Sequence, residues 1–69
     1  MNKLDVRGLS CPVPVLRTKK AIDDGATELL IMGSSQVSKE NVSKLAASQG
    51  FKVNIKVDHK DLWEMEIKK

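Results

Sequence analysis

Leu4-Asp5-Val6-Arg7-Gly8-Leu9-Ser10-Cys11-Pro12-Val13-Pro14 is the stretch in which the periodicity of this chain changes. Leu4 and Val6 fall on one face and Asp5 and Arg7 on the other, so Lys3 to Val6 reads as a strand. Gly8-Leu9-Ser10 turns the chain. Beyond it Val15, Thr18, Ala21 and Ile22 recur on one side of a helical wheel, which predicts a helix from Pro12 to about Asp24, closed by Gly25. Two prolines at its start are tolerated, because the first N–H groups of a helix have no internal partner.

Working outward, Thr27 to Met32 is an apolar strand with side chains on both faces, broken by Gly33-Ser34-Ser35. A second helix is expected from about Gln36 to Gln49, stopped by Gly50. Phe51, Val53, Ile55 and Val57 then alternate with Lys52, Asn54 and Lys56, the pattern of a half-buried strand. Asp58-His59-Lys60-Asp61 reads as a hairpin turn, and Leu62 to Ile67 returns with Trp63, Met65 and Ile67 on one face. The order is β-α-β-α-β-β. Right-handed crossovers put both helices on the same side. The expected fold is therefore an α/β two-layer sandwich: a four-stranded mixed sheet with two helices on one face and Leu30 and Met32 on the other. Both helices would start at the same edge of the sheet, which makes Cys11 and the Gly33-Ser34-Ser35 loop neighbours if the first two strands are close.

The 69 residues are read as a single domain, 1–69, with a thin core and a stability of roughly 3–5 kcal/mol. One cysteine and one histidine exclude an internal disulfide and are too few for a structural zinc site. No cofactor and no metal are expected. There is no basic-then-apolar leader and no run long enough for a membrane span, and a free thiol without a disulfide framework suits a reducing compartment, so the expected location is cytoplasmic. The net charge is +3, with twelve basic residues interleaved with nine acidic ones and a single Trp and Phe for base stacking. That composition argues against stable nucleic-acid binding.

Cys11 would stand at the start of the first helix, where the positive end of the helix dipole and free N–H groups favour an anion. Pro12 and Pro14 would hold that helix start, and so the thiol, in one place. The opposing reading is that a lone cysteine is a small buried hydrophobe. A hydrolase-type cysteine needs a nearby histidine, and His59 lies far along the chain in a turn, where it reads as a solvated residue. A dithiol oxidoreductase needs a second cysteine, and the chain has none. Gly33-Ser34-Ser35 lacks the spacing and lysine of a P-loop. What remains is single-thiol chemistry, in which a group is accepted on sulfur, held and passed on. Val13, Leu16, Arg17 and Lys20 fall on the exposed side of the helix one to two turns away. They form either a partner-docking surface or ordinary surface.

Leu4 to Pro14, with its Cys-Pro-x-Pro core, resembles the TusA/SirA-like family of small sulfur carriers, and Thr18-Lys19-Lys20-Ala21-Ile22 continues the match. Gln36 to Ala46 and Ser48-Gln49-Gly50-Phe51 are similar to the YedF-like branch of that family. The resemblance implies a sulfurtransferase-type carrier rather than a turnover enzyme, with Cys11 holding a persulfide and Gly8, Pro12 and Pro14 positioning it. Its implied partners are a cysteine desulfurase or rhodanese-like donor and a downstream sulfur-acceptor protein. The chain is expected as a monomer or weak dimer. The alternative is a non-catalytic regulatory or interaction module of selenium or redox metabolism.

Overall fold

β1 (Asn2–Asp5), α1 (Val13–Asp23), β2 (Glu28–Gly33), α2 (Gln36–Ser48), β3 (Lys52–Asp58) and β4 (Trp63–Lys68) follow one another in a computed structural model that describes residues 2–9 and 13–69. The strands form one sheet in the order β1-β2-β4-β3. β1 and β2 are parallel, and β4 runs antiparallel to both β2 and β3. The mixed sheet with two helices is the architecture expected from the sequence, and the element boundaries agree to within one or two residues.

The two central strands carry the core. Leu29 and Ile31 of β2 are buried, and the register sets them opposite Ile67 and Met65 of β4, with Gly33 opposite Trp63. Fully burying side chains of this size stabilises by about 1.5–3 kcal/mol each. Val42 and Ala46 of α2 and Phe51 just before β3 close the same cluster, and Val15, Ala21 and Ile22 of α1 pack against it. Both helices thus cover one face. Leu30, Met32, Glu64 and Glu66 alternate onto the other and are half-buried. No helix among the described residues is long and apolar enough to cross a membrane.

Both helices end by the same device. Gly25 N–H donates to the Ile22 carbonyl and Ala26 N–H to Ala21, at 3.0 and 3.2 Å. Gly50 and Phe51 repeat the pattern onto Ala47 and Ala46 at 3.1 and 3.0 Å. This crossed pair satisfies carbonyls that the last helical turn leaves open. It also delivers Phe51 directly into the core.

β3 departs from the simple alternation. Ile55 lies opposite Met65, but Val57 lies opposite Glu64, so the strand holds a bulge between them. Val53 and Ile55 therefore share the helix-covered side, whereas Val57 lies on the open side with Glu64. Asp58, opposite Trp63, is brought back to the helix side, where the Lys39 ammonium of α2 meets its carboxylate at 2.8 Å. β3 is also an edge strand, which leaves Ile55 37% exposed. A period-two pattern cannot reveal a bulge, because the extra residue shows only in the partner's register.

The parallel pairing of β1 with β2 fixes what matters for function. Each strand runs into its helix at the same edge of the sheet, so the β1–α1 and β2–α2 junctions lie side by side. Val6 N–H extends the pairing one step past β1, donating to the Met32 carbonyl at 2.8 Å.

Candidate functional site

Cys11, Pro12 and Ser10 lie outside the described residues, so the site is built from the segments that lead into and out of them. On the entry side the chain makes a tight turn. Leu9 N–H reaches the Val6 carbonyl at 3.3 Å, with Arg7 and Gly8 between them. Gly8 has a φ of 74°, and a positive φ at the third position is what a type II turn requires and glycine supplies. Asp5 braces the turn from below. Its carboxylate accepts the Arg7 backbone N–H and Nε at 3.0 Å each and a terminal guanidinium nitrogen at 2.8 Å. These hydrogen bonds, with the guanidinium charge, lower the Asp5 pKa from an ordinary 3.8 to about 2. Arg7 is correspondingly raised.

On the exit side, α1 opens with Val13 and Pro14. Pro14 is fully buried, and its carbonyl accepts the hydroxyl of Thr18, also fully buried, at 2.8 Å. The first turn of α1 is thereby seated on the core rather than on its own residues alone. A threonine hydroxyl that reaches back four residues in a helix needs no other partner in the apolar interior.

Beside this segment stands the β2–α2 junction. Ser35 caps α2, its hydroxyl accepting the Ser38 N–H at 3.4 Å while its carbonyl accepts the Lys39 N–H at 3.0 Å. The same carbonyl takes the indole N–H of Trp63 at 2.8 Å. Gly33 lies against the Trp63 ring so closely that a Cβ there would collide with it. Between these two fixed residues sits Ser34, whose hydroxyl accepts the Gly8 N–H at 3.0 Å. The two loops are therefore in direct contact, as the parallel order of β1 and β2 demands. Ser38, one turn into α2, is 3% exposed, and its hydroxyl has no hydrogen-bond partner among the described residues.

The outer side of α1 carries the residues singled out as a docking surface. Leu16 is 57% exposed, Arg17 and Lys20 are exposed, and Val13 is half-buried. Lys20 lies 3.8 Å from Asp24 and Lys19 2.9 Å from Asp23, ordinary ion pairs along one helix. Arg17 has no ion-pair partner among the described residues. Val37, in the first turn of α2, is 58% exposed and adds an apolar group that the sequence reading passed over. That reading also passed over Ser34 and Asp5 as individual residues. The Asp5-x-Arg7-Gly8 spacing is the signal that could have found Asp5, because a carboxylate two residues before a turn N–H is the Asx-turn arrangement. Nothing local could have found Ser34, whose partner is 26 residues away.

His59 is exposed in the β3–β4 hairpin. Its backbone N–H donates to the Leu62 carbonyl at 2.8 Å, and its carbonyl accepts the Gln36 amide at 2.9 Å. It serves the hairpin with its backbone, in keeping with a solvated turn residue.

The fold and this pair of junctions define a class of protein, and comparison with known sequences names it. The sequence profile of the family described as "Sulfurtransferase TusA" matches residues 2–69, so the chain belongs to the TusA family. It is 38% identical over 71 residues to a Methanocaldococcus jannaschii protein named "Putative sulfur carrier protein MJ0990", covering all of this chain and 95% of that one. A Bacillus subtilis protein named "Putative sulfur carrier protein YrkI" is 29% identical over 68 residues, covering 96% of this chain and 91% of its own length. Among solved structures, the SirA-like protein DSY4693 from Desulfitobacterium hafniense superposes with a TM-score of 0.83 at 27% identity, over 97% of this chain and 95% of the other.

Proposed function

We propose that this protein carries sulfur as a persulfide on Cys11 and relays it from a donor protein to an acceptor protein. The observation that carries this reading is membership of the TusA family along 2–69 in a chain whose sole thiol is Cys11. The chemistry is a thiol exchange with no net oxidation. The Cys11 thiolate attacks the outer sulfur of a donor persulfide, a new S–S bond forms at Cys11, and the donor S–S bond breaks. The donor departs as a thiolate, and the proton on the transferred sulfur travels with it or is lost to water. Delivery is the same step with an acceptor nucleophile attacking the outer sulfur of the Cys11 persulfide. A thiolate is needed for the first step, and a helix N-terminus lowers the energy of a thiolate or persulfide anion next to it.

The surroundings support the reading in two ways. Gly8 and Pro14 fix the two ends of the segment that contains Cys11, the first by its turn and the second by burial. Exposed Leu16, Arg17 and Lys20, with half-buried Val13, offer an apolar and cationic surface on α1, suited to a protein partner that presents a persulfide. The donor class is a cysteine desulfurase or a rhodanese-like protein.

Incubation with a cysteine desulfurase and free cysteine is expected to add the mass of one sulfur atom to the intact protein, removable by a thiol reductant. The Cys11→Ser variant is expected to gain none. A wild type that stays unlabelled with several desulfurases and rhodaneses at saturation, or a Cys11→Ser variant that labels equally, would overturn the reading.

A further inference from the structure

In β2 and β4 every second position is buried, whereas no position of β3 is. Among the described strands β3 pairs with β4 alone, so its outer edge is a row of unpaired backbone donors and acceptors on which a further strand can add. Beside that edge a groove of about 430 Å³ runs between α2 and β3, lined by Lys39, Glu40, Ser43, Lys44 and Ile55. It exists because α2 turns Val42 and Ala46 into the core and presents its next stripe, with Lys39, Ser43 and Lys44, to β3. Ile55 is 37% exposed there. We propose that this edge and groove take an extended segment of a partner protein, apolar on one face and acidic on the other, which adds as a strand to β3.

The chemistry of that segment follows from the two faces of β3. On the helix side, exposed Ile55 and the groove accept an apolar side chain. On the open side stand Lys52 and Lys56, the latter 3.9 Å from the Glu66 carboxylate, so acidic side chains on that face of an added strand meet cations. Lys44 on the groove wall is exposed, and neither it nor Lys52 has an ion-pair partner among the described residues. Lys39 holds Asp58 at 2.8 Å, which leaves Glu40 as the acid lining the groove. The bulge after Ile55 ends the regular ladder, so the docking length is Lys52 to Ile55, and side chains must supply the selectivity. A second copy of this chain fits poorly. Antiparallel pairing that sets Val53 against Ile55 also sets Lys52 against Lys56 at both ends, and like charges directly opposite are destabilising. β2 and β4 separate this edge from β1, so a partner held here leaves the exposed side of α1 clear.

The probe is the blocked peptide acetyl-Glu-Val-Glu-Leu-Glu-Val-Glu-amide, titrated into isotope-labelled protein and followed by backbone amide shifts. Saturable shifts are expected at Lys52 to Ile55 and along Lys39 to Lys44. Lys44→Glu is expected to weaken binding by about five- to tenfold and Ile55→Ser by about three- to tenfold, with the remaining amides unmoved. Lys3→Glu makes the same change in net charge on the opposite edge strand and should leave the affinity as it is. Alternate N–H groups of an added strand point at its neighbour. Methylating the backbone nitrogen of the peptide's leucine, or of the glutamate beside it, should therefore abolish binding in one case and spare it in the other. A peptide that moves no amide at this edge at millimolar concentration overturns the proposal, as does indifference to both methylations or an equal loss in Lys3→Glu and Lys44→Glu. An oligouridylate that moves the same amides at lower concentration assigns the edge to RNA instead, and a dimer in sedimentation that Ile55→Ser abolishes assigns it to a second copy. Either result overturns the proposal, and none of these readouts depends on sulfur loading.

Discussion

The β1–α1 and β2–α2 junctions take the chain through the same change, from a strand into a helix at one edge of the sheet, yet they are built from different materials. The second is anchored inward. Gly33 is buried against Trp63, Ser35 caps the helix, and the indole N–H closes the loop onto the core. The first is anchored sideways. Its turn at Arg7–Gly8 and its acidic brace at Asp5 are exposed; Val6 and Leu9 on either side of the turn pack on the core, and the Gly8 N–H reaches across to the Ser34 hydroxyl of the second junction. The contrast teaches a division of labour within one repeated unit. The exposed turn at Gly8 hydrogen-bonds to a neighbouring junction whose own residues are tied to the buried Trp63 ring.

Gly33→Ala should break this comparison hardest, since the new methyl meets the Trp63 ring and forces a shift in the core. A loss of about 1–3 kcal/mol is expected by chemical denaturation, a large share of the stability of so small a domain, with a change in Trp63 emission. Gly8→Ala acts for a different reason. A Cβ there meets nothing, but the φ of 74° penalises it, so a loss of about 1–2 kcal/mol is expected with native Trp63 emission and slower sulfur loading. If the two glycine variants prove alike in emission, the inward and sideways anchors are not distinct.

Ser35→Ala removes the cap of α2 and should lower stability by about 1 kcal/mol, recovered largely by Ser35→Asp. The smallest effect is expected from pH. The folded-state pKa of Asp5, about 2, lies below its ordinary 3.8. Its ionised form therefore stabilises the folded protein above the ordinary value, and that contribution is lost as pH falls through the folded one. Asp5→Asn should flatten the decline in urea midpoint between about pH 5 and about pH 2, and salt should shrink the difference because both partners are exposed.

Much of this was legible beforehand. The period-two pattern of Trp63, Met65 and Ile67 marked the buried face of β4, and the helical spacing of Val15, Thr18, Ala21 and Ile22 marked the sheet-facing side of α1. Burial follows those two periods because each element can hide only one side. Gly25 and Gly50 marked the helix ends, since their role depends only on local hydrogen bonds. Val57 could not be placed from its apolar character, because the bulge after Ile55 exists only relative to β4. The Gly33-Ser34-Ser35 loop could be placed beside the first junction only if the first two strands were close, and the bond from the Gly8 N–H to Ser34 was not legible because it crosses from one junction to the other. Val37 carried no signal, since an apolar residue on the first turn of a helix can face either way.

By itself, the amino-acid sequence determined the order of elements and, except beyond the bulge in β3, the side that each one buries, and it singled out Cys11 as the sole thiol. Each of these is set by residue type and spacing over a few neighbours. Only the tertiary structure decided that β1 lies beside β2, that Asp58 rather than Val57 turns back toward α2, and that the Gly8 N–H meets the Ser34 hydroxyl. Those outcomes are contacts between residues distant in the chain, and they exist only once the sheet has closed.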